Sequence, residues 1–116
     1  MKIDVFRDII KRREYVEEIS CGEWAEGIEE CWKKEVEILS EDIPSTIDFL
    51  NNDCTASEYS WISEVIEELA IKTQSEELVE CYKKLMTKFP EESENYNIAG
   101  SIQFAEDALR KEDNDG

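Results

Sequence analysis

Apolar residues recur every three or four positions along most of the chain. In the segment 57–70, SEYSWISEVIEELA, this spacing relates Ile62, Val65, Ile66 and Leu69, as is typical of a helix with one buried face. Stripes of the same kind predict six helices, over about 4–19, 21–39, 44–50, 55–71, 75–89 and 93–110. No segment alternates with a period of two for long enough to indicate a strand. The pattern therefore predicts an all-α fold of about six helices.

Local signals mark several ends of these helices. Thr55 and Glu58 have the spacing of a capping box, and Ser75 suits the N-cap of the fifth helix. Pro44 suits a first helical turn, and Pro90 is expected to end the fifth helix. The short linkers favour antiparallel neighbours, either in a compact bundle or in a short stack of helical hairpins.

Length and composition suit one domain. The 116 residues are 41% apolar and include only four glycines and two prolines, which is enough apolar material for one core. We predict a single helical domain over 1–116, with a frayed polar tail from about 111. The chain has no apolar run of membrane-spanning length and no signal-peptide pattern near its start. These features predict a cytoplasmic location.

The residue types needed for catalysis or metal binding are sparse. The four cysteines, Cys21, Cys31, Cys54 and Cys81, form no CxxC pair and are expected to be buried free thiols. Histidine, the commonest general base and a frequent metal ligand, is absent from the sequence. No phosphate-binding or nucleophile motif occurs. We therefore predict no catalytic site, no metal and no cofactor.

Charge is the strongest compositional feature. Thirteen basic residues against thirty acidic ones give a net charge of −17, and the segment 41–82 holds eleven acids and one base, Lys72. Such a field repels nucleic acid and anionic membranes and attracts a cationic partner. The same acidity also serves solubility, so charge alone does not identify a partner.

The predicted fourth helix has an unusual outer side. At 100° per residue, Trp61, Glu64 and Glu68 lie opposite its apolar stripe, near Ser57. An indole between carboxylates suits an interface with a basic protein. Alternatively, Trp61 packs with Ile71 against a second neighbouring helix, since tryptophan is usually well buried. The other two tryptophans, Trp24 and Trp32, lie on the apolar stripe of the second helix and are predicted to be core residues.

Three segments, SEYSWISEVIEELA, SEELVECYKKLMTKFPEE and IAGSIQFAEDAL, give the chain a resemblance to a known class of proteins. It resembles the small acidic helical immunity proteins of bacterial contact-dependent growth inhibition and related polymorphic toxin systems. The resemblance implies that the protein binds a cognate toxin domain, commonly a basic nuclease, one to one in the cytosol. It also implies that the toxin's catalytic cleft or substrate-binding surface is covered.

The predicted partner-binding residues all come from the acidic stretch 53–80. They are Asp53, Ser57, Trp61, Glu64, Glu67, Glu68, Glu76, Glu77 and Glu80. Three alternatives stay open: an acidic adaptor or chaperone for a basic client, a DNA mimic that blocks a DNA-binding protein, and a small enzyme that uses glutamate as acid and base. The enzyme alternative requires a cleft with converging carboxylates of raised pKa.

Overall fold

The computed structural model describes residues 1–20 and 23–113, and in these ranges every regular element is an α-helix. The predicted all-α class is therefore confirmed for the described chain. The helices there number eight: α1 (Ile3–Ser20), α2 (Ala25–Glu41), α3 (Ile43–Asn52), α4 (Ala56–Ile62), α5 (Ile66–Thr73), α6 (Glu76–Lys84), α7 (Pro90–Asn95) and α8 (Ile98–Asp113).

The count differs from six partly because the predicted fourth helix breaks after Ile62. Tight turns replace helical bonds there, with the N–H of Glu64 bonded to the Trp61 carbonyl (3.2 Å) and that of Val65 to the Ile62 carbonyl (2.9 Å). The Ser63 hydroxyl donates to the Ser60 carbonyl (2.5 Å), a local bond that competes with helix continuation. The side-chain directions predicted at 100° per residue for one helix over 57–70 are therefore wrong beyond residue 62.

The other differences in count and boundaries lie in the last third of the chain. The predicted fifth helix ends at Lys84 instead of near 89, because residues 85–88 form turns. Pro90 begins α7, where its missing N–H costs no helical bond. A residue in the left-handed conformation, Asn97 (φ 49°), then separates α7 from α8. Asparagine tolerates this conformation better than most residues do.

The predicted helix caps are confirmed. The Thr55 side chain accepts from the N–H of Glu58, whose side chain accepts from the N–H of Thr55, so the capping box is complete. The Ser75 side chain accepts from the N–H of Leu78 at the start of α6. Pro44 lies in the first turn of α3. Each cap satisfies backbone groups that a helix end leaves without partners.

The helices pack in pairs around one main core. α1 lies along α2, and α5 makes its most extensive contact with α8. α2 also contacts α5, while α6 contacts α3 and α8, and α4 contacts α7. A second, smaller apolar cluster of Val16, Ile28 and Cys31 lies between α1 and α2, and Trp32 packs against both clusters.

Two tyrosines lie at the centre of the main core. Tyr59 and Tyr82 are fully buried, with ring centroids 4.5 Å apart. Each hydroxyl donates to the other residue's carbonyl, from Tyr82 to Tyr59 at 2.7 Å and from Tyr59 to Tyr82 at 3.3 Å. This reciprocal pair joins α4 to α6 and satisfies both buried hydroxyls.

The predicted burial of the cysteines is confirmed where they are described, whereas the predicted burial of Trp24 is not. Cys31, Cys54 and Cys81 are buried free thiols as predicted, while Cys21 lies outside the described residues. Trp24 is 41% exposed, so its prediction as a core residue is wrong. It lies immediately before α2 and covers Gly27, where an added Cβ would come within 2.7 Å of the indole ring. Position 27 therefore has no room for a side chain while Trp24 keeps this placement.

The predicted frayed tail from about residue 111 lies only partly within the described residues. α8 is described through Asp113, and the final residues of the predicted polar tail, 114–116, lie outside the described residues.

Candidate interaction surface

The predicted partner-binding residues separate into different environments. Exposed side chains belong to Asp53, Ser57, Glu67, Glu68, Glu76, Glu77 and Glu80. Trp61 is partly buried and packs against the main core. Glu64 is exposed as a residue, but only 26% of its side chain is exposed. The structure therefore does not bring all nine residues into one continuous face.

Glu64 is turned toward α1 and binds a buried arginine. Its carboxylate accepts from Arg13 through Nε at 3.0 Å and Nη2 at 2.8 Å, a bidentate ion pair, and from Trp32 Nε1 at 3.1 Å. Glu64 is thus an exposed residue beside Trp61, but its carboxylate is paired within the protein. The break after Ile62 changes its direction, and a counter-charge on α1 fixes its carboxylate.

Arg13 is the centre of this arrangement, although it is only 3% exposed. Its Nη2 also donates to Glu17 at 3.1 Å, and its guanidinium lies 4.9 Å from the centroid of the Trp61 ring. Burial lowers the pKa of Arg13, but hydrogen bonds to Glu64 and Glu17 outweigh it and leave the pKa above its usual value. The arginine stays charged and fixes Trp61 and Glu64 against α1.

A second buried carboxyl lies next to this ion pair. Glu35, on α2, is 0% exposed, and neither carboxyl oxygen has a hydrogen-bond partner among the described residues. Burial and, to a lesser extent, the charge of Glu64 raise its pKa, while the charge of Arg13 lowers it, and together they bring the pKa to about 8. Glu35 is therefore protonated at neutral pH. We name Arg13, Trp32, Glu35, Trp61 and Glu64 the Arg13 cluster.

Sequence analysis missed Arg13 and Glu35, although a signal for each was present. Arg13 lies three residues from both Ile10 and Val16, on the apolar stripe of α1. Glu35 lies four residues from both Cys31 and Leu39, on the apolar stripe of α2. A charged residue of each sign in facing stripes indicates a buried electrostatic contact.

A very different set of carboxylates lies on α5 and α6. Glu67, Glu68, Glu76, Glu77 and Glu80 are exposed, and none is in the ion pairs found among the described residues. We name these five residues the acidic surface. Lys72, the one base between residues 67 and 80, is also exposed and forms no such pair. The five carboxylates of the acidic surface are therefore open to solvent and to a partner.

Asp53 differs from the acidic surface because it lies next to a cation, Arg7. It follows α3, and its backbone carbonyl accepts from Arg7 Nη2 at 3.1 Å, while Arg7 Nε binds the capping residue Glu58 at 2.8 Å. A cation therefore lies close to Asp53, which weakens its negative field relative to that of the acidic surface.

Trp61 and Ser57 line a groove of about 760 Å³ between α1, α4, α7 and the start of α8. We name it the Trp61 groove. Its charged lining consists of carboxylates, and its other polar lining is mostly hydroxyls. The lining residues are Glu14, Ala56, Ser57, Ser60, Trp61, Ser63, Glu64, Glu92, Tyr96 and Ser101.

Comparison with known proteins assigns this chain to no family. No protein-family model matches the chain, and neither a curated protein nor a solved structure matches it. Within the described ranges, no helix combines the length and apolarity needed to cross a lipid bilayer.

Proposed function

We propose that this protein is an immunity protein. It binds one cognate toxin domain, a basic nuclease, and covers the active or substrate-binding site of that domain. The observation that carries the proposal is the acidic surface, whose five exposed carboxylates have no cationic partner among the described residues. A nuclease needs cationic groups to hold phosphates, and a dense set of carboxylates competes for those groups.

Helix stability explains only part of this acidic surface. Glu67 and Glu68 lie in the first turn of α5, and Glu76 and Glu77 lie in the first turn of α6, where negative charge stabilises the helix dipole. Glu80 lies in the second turn of α6, where this effect has faded. Like charges four residues apart, such as Glu76 and Glu80, also repel each other. An acidic partner-binding surface accounts for all five.

Charge on this scale acts chiefly on the rate of association. The net charge of −17 steers a basic partner inward, and the effect falls as salt screens the field. An inhibitor benefits from fast capture because a nuclease does damage from the moment it enters the cell. The proposal therefore predicts an association rate that decreases steeply with ionic strength.

The test begins with capture of the partner. The full chain is immobilised and exposed at low salt to a lysate of the native organism, and the retained protein is identified and purified. The proposal holds if that protein is a nuclease whose cleavage activity ends at one equivalent of this chain. It fails if the retained protein is a client without toxic activity, as for an adaptor or chaperone. It also fails if the retained protein is a DNA-binding protein without nuclease activity, as for a DNA mimic.

Charge reversal then tests the acidic surface itself. In Glu67→Lys/Glu68→Lys, we expect association with the captured nuclease to slow by about tenfold and to depend less on salt. A matched control, Glu23→Lys/Glu26→Lys, makes the same change in net charge at exposed positions near the start of α2. Equal slowing in both variants would assign the effect to net charge alone and would move the interface away from α5 and α6.

A further inference from the structure

The Trp61 groove differs in charge from other grooves on the described surface. The groove between α1 and α2 has Arg12 and Lys34 among its acids, and the one near Trp32 has Lys33 and Lys72. A groove at the start of α1 likewise contains both signs. The Trp61 groove is lined by three glutamates and by no lysine or arginine. The cation nearest to this lining among the described residues is Arg13, which lies 4.9 Å from the Trp61 ring centroid and is already paired with Glu64 and Glu17.

Two of these glutamates are free to act on a ligand. Glu64 is already bound by Arg13 and Trp32, so its charge is largely neutralised. Glu14, on α1, and Glu92, on α7, form no ion pair among the described residues. They approach the groove from different helices, so they surround a ligand instead of forming one acidic stripe.

The hydroxyls of the groove also favour a hydrogen-bond donor. The Ser60 hydroxyl donates to the Ser57 carbonyl at 2.7 Å, and the Ser63 hydroxyl donates to the Ser60 carbonyl at 2.5 Å. Each hydroxyl has one proton, so these two oxygens can only accept from a ligand. The lining thus offers carboxylate and hydroxyl acceptors, together with the aromatic rings of Trp61 and Tyr96.

From this lining we infer that the Trp61 groove binds a cationic side chain presented by a segment of a basic protein partner. An ammonium or guanidinium group carries several N–H donors, no acceptor and a positive charge, which complements these carboxylates and hydroxyls. Both groups are also attracted to aromatic rings, and a guanidinium stacks on them. The inference deepens the proposed function and rests on it for the identity of the partner. It places one contact outside the acidic surface of α5 and α6.

Two tripeptides test the groove without the toxin. One is Ac-Gly-Arg-Gly-NH₂, and the other has citrulline in place of arginine, which keeps the shape and removes the charge. Each is titrated into the ¹⁵N-labelled full chain and followed by NMR. We expect the arginine peptide to shift the Trp61 indole N–H and the amides of Ser57, Ser60 and Tyr96. The citrulline peptide should leave these signals in place.

Two variants make the test specific to Glu14 and Glu92. Glu14→Gln/Glu92→Gln should weaken binding of the arginine peptide about fivefold, as expected for the loss of two partly solvated ion pairs. Glu18→Gln/Glu91→Gln removes the same charge from the same two helices at exposed positions outside the groove and should leave binding unchanged. Equal weakening in both pairs, or equal binding of the citrulline peptide, overturns the inference.

The outcomes also separate this inference from the proposed function. Shifts confined to residues 67–80 would refute the groove and leave the acidic surface as the interface. Shifts of the groove signals that depend on protein concentration without peptide would show a second copy in the groove and refute the inference. Peptide binding in the groove, together with capture of a partner that is not a nuclease, would support the groove and refute the immunity function.

Discussion

The Arg13 cluster and the acidic surface both use glutamate, with opposite physical consequences. In the Arg13 cluster, Glu64 is bound by Arg13 and Trp32, and Glu35 is fully buried with a raised pKa. On the acidic surface, five glutamates face solvent without an ion pair among the described residues. Water stabilises a charge there, so each carboxylate adds little to stability and acts over distance on a partner. Burial makes the charge state of Glu35 a determinant of the fold.

The largest expected effect is a pH dependence of stability that comes from Glu35. Its folded pKa of about 8 lies above the ordinary glutamate value of 4.5, so the folded state binds the proton more tightly. The stabilising contribution is therefore complete below pH 4.5 and is lost as pH rises to about 8. The total is on the order of 5 kcal/mol in the free energy of unfolding.

Glu35→Gln provides the comparison for this pH dependence. Urea unfolding of both proteins from pH 5 to pH 8 isolates the contribution of Glu35, because the other titrating groups are shared. We expect the difference in unfolding free energy between the two proteins to change steadily in favour of the glutamine variant as pH rises. A constant difference over this range would show that Glu35 is ionised or solvated in the folded state, like the acidic surface.

Removal of the buried cation should have the next largest effect. Arg13→Met leaves Glu64 without its bidentate partner, and we expect a loss of about 3 kcal/mol in unfolding free energy at neutral pH. The lower end of the usual range applies because 26% of the Glu64 side chain is exposed. Arg12→Met is the control, since Arg12 is exposed, and it should change stability by less than about 0.5 kcal/mol. Similar losses in both variants would mean that the Arg13 cluster adds no more than a surface charge.

A smaller effect is expected from the second donor to Glu64. Trp32→Phe removes the 3.1 Å bond from Nε1 while keeping an aromatic ring against the two apolar clusters. We expect a loss of about 1.5 kcal/mol, the lower end of the usual range for a hydrogen bond to a charged group, because Glu64 keeps its bidentate arginine. Trp24→Phe, at the exposed tryptophan, is the matched control and should melt close to the parent protein. Thermal melts of the two variants measure the difference.

The smallest effect on stability should come from the acidic surface. Glu67→Gln/Glu68→Gln removes two charges that favour the start of α5, and it also relieves repulsion among neighbouring carboxylates. The two contributions oppose each other, so the free energy of unfolding should change by less than about 0.5 kcal/mol. Urea unfolding at low and at high salt checks this. A loss of unfolding free energy as large as that of Arg13→Met would show that the acidic surface stabilises the fold as strongly as the Arg13 cluster does, contrary to the expectation.

Much of the fold could be predicted because its signals are local. The apolar stripes indicated helices, and Thr55 and Ser75 marked two helix starts where the structure has them. The breaks after Ile62 and before Ile98 were missed, because both segments also fit continuous helical patterns. Of the residues predicted to bind a partner, Glu67, Glu68, Glu76, Glu77 and Glu80 are exposed, while the carboxylate of Glu64 is paired with Arg13.

The sequence by itself determined the helical class, the caps and the excess of acid, since each depends on residue type and spacing along the chain. Only the tertiary structure decided which acids are free. Glu64 and Glu68 are four residues apart, yet the first is bound by Arg13, which is 51 residues away along the chain, and the second faces solvent. Glu35 is buried because α1 and α5 cover α2, which also raises its pKa. Burial and counter-charge depend on distances in space, and a helical period along the sequence does not contain them.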